Sequence, residues 1–280
     1  MSFESPLVST AWLHERLDAP DIRVVDASWY LGTSRDPRAE FRAAHIPGAV
    51  FFDIEELSDD TSPLPHMLPD PAKFASRMRK LGLGDGNLIV VYDGAGVISA
   101  PRAWWMLKAM GHREVVVLDG GLPKWRAERR PLEDMISPPH YRHFTPRPDR
   151  TLLRDLDRMR ANLETRAEQV VDARSPGRFR GAEPEPRPGM RAGHIPGSLN
   201  VHYASLFLPD GTLRPRDELV RVFAAGGVDL GKPTVTTCGS GVTAAIVMLA
   251  MKIAGAADVA LYDGSWAEWG ACPDVPVETG

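Results

Sequence analysis

The sequence predicts an α/β fold made of two similar domains in tandem, each a parallel β-sheet flanked by helices. The first observation is the length of 280 residues, about twice that of a common single domain. The second is an internal repeat, because short motifs recur at offsets of 144 to 149 residues. The third is the alternation of short β-branched runs with longer helix-like stretches in each half, which is typical of parallel sheets.

The repeated motifs lie along the whole chain, which indicates that one complete domain was duplicated. We therefore place a first domain at residues 1–137, a linker at 138–150 and a second domain at 151–280. The linker is rich in proline, so we expect it to be extended rather than packed. The repeats are V-D-A at 25–27 and 171–173, H-I-P-G at 45–48 and 194–197, and D-G at 119–120 and 263–264.

Each strand and helix follows from a local pattern. Short β-branched runs bounded by Gly, Asp or Pro are typical of buried strands, and the longer stretches between them suit helices. Pro71 and Pro215 each fit a first helical position, where a missing N–H costs nothing. In chain order we predict strands at 22–25, 88–92 and 115–118 with helices at 71–81 and 100–110, then strands at 170–171, 234–237 and 259–262 with helices at 215–225 and 243–253.

The composition excludes several classes of function. A net charge of −4, from 33 basic and 37 acidic residues, provides no basic field for nucleic acid or an anionic membrane. The chain has neither a secretory signal pattern nor a run of about 18 apolar residues, so we expect a cytoplasmic protein without a membrane span. The two cysteines lack C-x-x-C spacing and the histidines are scattered, which predicts no disulfide framework and no metal site.

The loop C-G-S-G-V-T at residues 238–243 carries the strongest chemical signal. Cys238 follows a predicted strand, and Gly239 and Gly241 allow the backbone to curl so that its N–H groups converge. The next helix directs its positive end to the same point, which favours a reactive thiolate and an anion built on its sulfur. A cysteine-dependent phosphatase needs an arginine six residues after the cysteine, where this chain has Ala244. Asp93 stands at the corresponding position of the first half, which we therefore predict to be catalytically inactive.

These residues resemble the rhodanese superfamily of sulfurtransferases over essentially the whole chain. The loop is similar to that of the branch that takes sulfur from 3-mercaptopyruvate, whereas the branch that uses thiosulfate typically carries basic residues after the cysteine. The segments that support the resemblance are C-G-S-G-V-T at 238–243, H-I-P-G at 45–48 and 194–197, S-P-L-P-H-M-L-P at 62–69, S-A-P-R-A-W-W at 99–105 and E-P-R-P-G at 185–189.

The resemblance implies a two-step transfer without a metal or organic cofactor. Cys238 would take sulfur from 3-mercaptopyruvate, release pyruvate and pass the sulfur to cyanide or to a thiol acceptor such as a thioredoxin-like protein. The implied substrate contacts are Arg178 and Arg187, with guanidinium groups suited to a keto acid. The remaining implied site residues are the set Ser240, His66 and Glu55, where some relatives have aspartate for Glu55, and the loop residues Gly239, Gly241, Val242 and Thr243.

Two other functions remain open at this point. One is a thiosulfate:cyanide sulfurtransferase, although a loop with no cationic side chain should bind a dianion less well than a monoanionic keto acid. The other is a non-catalytic persulfide carrier, against which the two substrate arginines argue. We interpret the neighbouring Arg174 as part of a solvated loop of mixed charge.

Overall fold

A computed structural model describes residues 5–136, 138 and 140–280, which form two compact units. The first unit comprises the described residues of Met1–Asp60, Leu68–Asp149 and Leu208–Leu213. The second comprises Thr61–Met67, Arg150–Phe207 and Arg214–Gly280. The predicted end of the first domain at residue 137 lies outside the described residues, and the predicted domain boundaries stay a prediction.

The first unit is a five-stranded parallel sheet with the strand order β1-β5-β4-β2-β3. Its longer strands are apolar and β-branched, and their side chains are buried as the sequence pattern predicts. The strands are β1 (Leu7–Val8), β2 (Ile22–Asp26), β3 (Val50–Phe51), β4 (Leu88–Tyr92) and β5 (Val115–Leu118). The helices are α1 (Thr10–His14), α2 (Pro37–Ala43), α3 (Pro71–Lys80), α4 (Ala100–Ala109) and α5 (Gly121–Ala127).

The second unit repeats this architecture with the order β6-β10-β9-β7-β8, so the predicted pair of parallel-sheet α/β domains is confirmed. The strands are β6 (Leu153–Arg154), β7 (Gln169–Asp172), β8 (Leu199–Asn200), β9 (Thr234–Thr237) and β10 (Val259–Tyr262). The helices are α6 (Leu156–Thr165), α7 (Pro176–Phe179), α8 (Arg216–Ala225), α9 (Val242–Ala254) and α10 (Ser265–Trp269). Short 3-10 turns lie at Arg150–Leu152 and Tyr203–Leu206.

The predicted strands and helices are all present, with ends shifted by at most a few residues. Pro71 begins α3, and the Asp70 carboxylate caps the first turn by accepting from two backbone N–H groups. The placement of Pro215 inside a helix was wrong. Its ψ of 155° is extended, so it is the residue before α8.

The expectation of an unpacked linker was also wrong. Residues 140–149 form no helix or strand, but Phe144 is buried against Phe74 and stacks on His112. The backbone N–H of Arg147 donates to the carbonyl of Met110, which ties the segment to the first unit. An aromatic side chain gains enough from burial to hold a proline-rich segment against its own domain.

Strand β9 lies in the middle of the second sheet, between β7 and β10. Asp172 at the end of β7 is in register with Thr237 at the end of β9. The loop that begins at Cys238 therefore leaves the carboxyl edge of the sheet at its centre, the usual position of ligand sites in open parallel sheets. Over the described part of the chain, no helix has the length and apolar character needed to cross a lipid bilayer.

Candidate active site

Cys238 is buried at the point where β9 ends, with 3% of its surface exposed. Its carbonyl accepts a hydrogen bond of 2.9 Å from the backbone N–H of Trp266, and the carbonyl of Gly239 accepts one of 2.9 Å from Ala267. The backbone N–H of Cys238 donates to the hydroxyl of Ser265. Helix α10 thus fixes the start of the loop, and the thiol is held on a rigid backbone.

The loop offers a series of open hydrogen-bond donors. Gly241 has a φ of 80°, which glycine adopts without strain, and it precedes α9 without a side-chain cap. Within the described residues, no atom accepts a hydrogen bond from the backbone N–H groups of residues 239–244, which include Val242 and Thr243. Unpaired N–H groups at the start of a 13-residue helix favour a bound anion.

The first unit contains the corresponding loop, in which the backbone N–H groups already have an acceptor within the chain. Asp93 directly follows β4, as Cys238 follows β9, and its carboxylate is fully buried. It accepts hydrogen bonds of 2.8 to 2.9 Å from four backbone N–H groups, those of Ala95, Ile98, Ser99 and Ala100. Burial raises the pKa of Asp93, and the four donors act in the opposite direction. This copy of the loop therefore binds an anion that the chain itself supplies.

Ser240 and His66 are in hydrogen-bond contact within the second unit. Nδ1 of His66 lies 3.1 Å from the Ser240 hydroxyl and 3.3 Å from the Ser240 carbonyl oxygen, and both residues are buried. A carbonyl oxygen only accepts, so the shared proton belongs on Nδ1 of His66. The Ser240 hydroxyl then accepts from His66 and keeps its own proton for a ligand. His66 has a φ of 62°, a left-handed conformation that is uncommon for residues other than glycine.

Arg178 and Arg187 both reach the loop at Gly239. A Cβ atom at residue 239 would lie 3.1 Å from Nη2 of Arg178 and 3.9 Å from Nη1 of Arg187. The absence of a side chain at Gly239 therefore allows two guanidinium groups to approach the backbone of the cysteine loop. No residue in the described part of the chain pairs with the Arg187 guanidinium, so this cation is available to a ligand.

The interpretation of Arg174 as a solvated residue was wrong, because its side chain is fully buried. Its guanidinium donates to both carboxylate oxygens of Asp172 and to Glu185, and it stacks on Trp266 with 4.2 Å to the ring centre. Glu185 in turn accepts from Arg178 at 2.5 Å. Sequence reasoning missed this network. The available signal was the repeated V-D-A motif, which places a carboxylate at the end of β7, two residues before Arg174.

Glu55 lies in the first unit, where its carboxylate accepts a hydrogen bond of 2.7 Å from the indole N–H of Trp29. His66 belongs to the segment assigned to the second unit. The role of Glu55 as the acid partner of His66 stays a prediction. Among the described residues there is no cluster of three or more His, Cys, Asp or Glu side chains that could hold a metal ion.

Known proteins are similar to this chain in both sequence and fold. The model of the rhodanese-like domain matches twice, at residues 9–128 and 155–272. The chain belongs to the rhodanese family. A human protein named 3-mercaptopyruvate sulfurtransferase is 46% identical over 270 residues, which cover 94% of this chain and 91% of that protein.

Two further rhodanese-family proteins extend the comparison. A chicken protein named thiosulfate sulfurtransferase is 44% identical over 269 residues, covering 94% of this chain and 92% of the relative. The crystal structure of SseA from Escherichia coli, described as a 3-mercaptopyruvate sulfotransferase, is 41% identical with a TM-score of 0.86. It covers 94% of this chain and 100% of its own. The names of the human and chicken relatives both describe sulfur transfer, but they specify different sulfur donors, 3-mercaptopyruvate and thiosulfate.

Proposed function

We propose that this protein is a 3-mercaptopyruvate sulfurtransferase, which moves sulfur through a persulfide on Cys238 to a thiol acceptor or cyanide and releases pyruvate. The observation that carries the proposal is the surroundings of Cys238. A buried thiol begins a loop of open backbone N–H groups, and two arginines lie beside Gly239. The identity of 46% to a human protein of that name supports the same donor.

The first half-reaction forms the persulfide. The Cys238 thiolate attacks the sulfur of 3-mercaptopyruvate, a sulfur–sulfur bond forms and the carbon–sulfur bond breaks. The electron pair of that bond remains on the departing fragment as the enolate of pyruvate, which then takes up one proton at carbon. Arg178 and Arg187 bind the carboxylate and the developing enolate oxygen, where guanidinium groups stabilise negative charge best.

Ser240 supplies or relays the proton that completes pyruvate. Its hydroxyl accepts from Nδ1 of His66 and so directs its own hydrogen away from that ring. Transfer to the enolate leaves an alkoxide that the His66 N–H group stabilises until water restores the proton. His66 thus orients Ser240 by donating to its hydroxyl oxygen.

The second half-reaction returns the enzyme to its starting state. An acceptor thiolate attacks the outer sulfur of the persulfide, takes that sulfur and leaves the Cys238 thiolate. Cyanide reacts in the same way and becomes thiocyanate. The loop N–H groups hold the anionic persulfide between the two steps, and neither step as written requires a metal or organic cofactor. We propose a reduced thioredoxin-like protein as the acceptor and the cytoplasm as the compartment, where thiols remain reduced.

Intact-protein mass spectrometry tests this proposal directly. The reduced protein is exposed to 3-mercaptopyruvate or to thiosulfate, with Cys238→Ser and Cys272→Ser variants in parallel. We expect the wild type and Cys272→Ser to gain one sulfur atom from 3-mercaptopyruvate, and Cys238→Ser to gain none. Sulfur gain by Cys238→Ser, or no gain from either donor, would overturn the proposal.

The second candidate is a thiosulfate:cyanide sulfurtransferase, which the chicken relative of that donor class favours. Sulfur loading of Cys238 mainly from thiosulfate in the mass-spectrometry experiment would favour this second candidate. The double variant Gly239→Arg with Ser240→Lys places two cations in the loop and should move the ratio of kcat/KM toward the thiosulfate dianion. A persulfide carrier without catalysis would load once and show no repeated turnover with an acceptor present.

A further inference from the structure

The carboxylate of Glu185 lies between two arginines of the second unit. Oε2 accepts a hydrogen bond of 2.5 Å from Nη2 of Arg178, and Oε1 accepts one of 2.8 Å from Nη1 of Arg174. The side chains of Glu185 and Arg174 are 5% and 0% exposed, so their ion pair is shielded from water, whereas Arg178 is 21% exposed and faces solvent in part. Buried ion pairs of this kind interact more strongly than surface pairs.

Arg174 is fixed by other groups and is not available to a ligand. It donates to Asp172 and to the carbonyl of Gly193 at 2.8 Å, and it stacks on Trp266. Glu185 is therefore held from behind by a rigid cation. Glu185 in turn accepts from Nε and Nη2 of Arg178 and so fixes that edge of the guanidinium. The same Nη2 lies beside Gly239.

The charges of this network nearly cancel. Three arginines, Arg174, Arg178 and Arg187, are opposed by two carboxylates, Asp172 and Glu185, which leaves one net positive charge. We infer that Glu185 is a specificity-determining residue, which lowers the charge of the donor site so that it suits a monoanion such as 3-mercaptopyruvate rather than the dianion thiosulfate. This inference rests on the proposed function of the same site.

Removal of the charge at Glu185 should change the choice of donor. Glu185→Gln adds one net positive charge next to Arg178, and the thiosulfate dianion gains about twice as much attraction from that charge as the monoanion 3-mercaptopyruvate does. We expect the ratio of loading rates, thiosulfate over 3-mercaptopyruvate, to rise by about tenfold. A role of Glu185 in positioning Arg178 alone would instead lower both rates without this change of ratio.

The experiment measures the second-order rate constant for sulfur loading of Cys238 from each donor by quenched mass spectrometry. Glu185→Asp keeps the charge and shortens the side chain, so its ratio should stay near that of the wild type even if both rates fall. Glu183→Gln removes a charge from the same loop at an exposed residue whose carboxylate contacts Ser175, and its ratio should not change. An unchanged ratio in Glu185→Gln would overturn the inference.

A measurement on the unmodified protein keeps the inference testable if Glu185→Gln does not fold. Sulfate and methanesulfonate have similar shapes but carry two charges and one charge. The one net positive charge attracts sulfate about twice as strongly as methanesulfonate, but the desolvation of a dianion costs about four times as much. Sulfate should therefore inhibit loading no more strongly than methanesulfonate, and inhibition by sulfate about tenfold stronger would contradict the inference. Failure of the wild type to load from 3-mercaptopyruvate would overturn the proposed function instead, because the two anions can still be compared against thiosulfate loading.

Discussion

Arg174 holds the carboxylate of Asp172 through three hydrogen bonds of 2.6 to 3.1 Å, and both side chains are buried. The first unit contains the equivalent carboxylate, Asp26 at the end of β2, but has Ser28 where the second unit has Arg174. Asp26 accepts from the backbone N–H and the hydroxyl of Ser28, which carry no charge. Burial then raises the pKa of Asp26 to about 6.

The first prediction is that Asp26→Asn stabilises the protein at neutral pH. The pKa of Asp26 is about 6 in the folded chain and near 4 when unfolded, so the folded state binds the proton more tightly. The free energy of unfolding therefore falls as pH rises from about 4 to about 6, by up to about 3 kcal/mol. Asp26→Asn should remove this decrease, which urea denaturation at pH 4 and pH 8 would measure.

Asp172→Asn is the matched control for that prediction. It removes the counter-charge of the buried Arg174 and should lower the free energy of unfolding by about 3 kcal/mol. Opposite signs for the two substitutions at pH 8 are the expected result. A loss of stability in Asp26→Asn at pH 8 would contradict the interpretation of Asp26 as an uncompensated carboxyl.

The second prediction concerns Asp93. Asp93→Ala should lower the free energy of unfolding by about 3 kcal/mol, because four backbone N–H groups lose their acceptor and those of Ser99 and Ala100 are buried. Added acetate should restore part of this stability by entering the emptied loop, and it should have no comparable effect on the wild type. Denaturation midpoints at several acetate concentrations would measure both. A variant as stable as the wild type would show that the four hydrogen bonds contribute little.

Much of the fold could be predicted because the buried strands carry their own signal. Runs such as Leu88–Tyr92 and Thr234–Thr237 are apolar or β-branched and end at a chemically distinct residue, so their bounds are clear. The two-residue edge strands, Leu7–Val8 among them, carry no such pattern. They exist because the neighbouring strand offers hydrogen-bond partners, which local sequence does not reveal.

The candidate site was predictable where local sequence determines the backbone. The curl of the loop at residues 238–243 follows from its glycines and from the helix after it. Arg174 and Glu185 were not predictable in the same way, since eleven positions separate them and their contact depends on how the loop between them folds. Burial decides whether such a charged loop is solvated or forms a network, and burial is a tertiary property.

The third prediction is a donor-specific effect of Ser240. Ser240→Ala should slow sulfur loading from 3-mercaptopyruvate by about 100-fold, because the enolate of pyruvate needs a proton. Loading from thiosulfate should change much less, since sulfite leaves without one. Ser240→Thr retains the hydroxyl and is the control. Rapid-quench mass spectrometry measures loading of the wild type and both variants from each donor, and equal losses for both donors in Ser240→Ala would exclude a role in protonation.

His66→Asn tests the partner of Ser240 in the same assay. Asparagine tolerates the left-handed backbone that His66 adopts at a φ of 62°, so this substitution limits the cost to the fold. We expect a smaller loss than for Ser240→Ala, again confined to 3-mercaptopyruvate, because the hydroxyl remains but is no longer oriented. An unchanged rate would show that the contact of 3.1 Å does not contribute to loading.

The last prediction concerns the room that Gly239 leaves for Arg178. A Cβ at residue 239 would lie 3.1 Å from Nη2 of Arg178, closer than carbon and nitrogen ordinarily pack, and Glu185 holds that same nitrogen at 2.5 Å. Gly239→Ala should therefore displace the guanidinium and raise KM for 3-mercaptopyruvate about tenfold, the effect of a lost charge-assisted hydrogen bond. The melting temperature should change little.

Gly231→Ala is its control, because residue 231 lies in an exposed turn beside Asp229 and away from the cysteine loop. Steady-state kinetics on both variants, with melting curves, separates a local displacement from a general loss of folding. A KM in Gly239→Ala equal to that of the wild type would mean that Arg178 can move aside without losing its substrate contact. The loop would then tolerate larger residues, and donor choice would depend on charge alone.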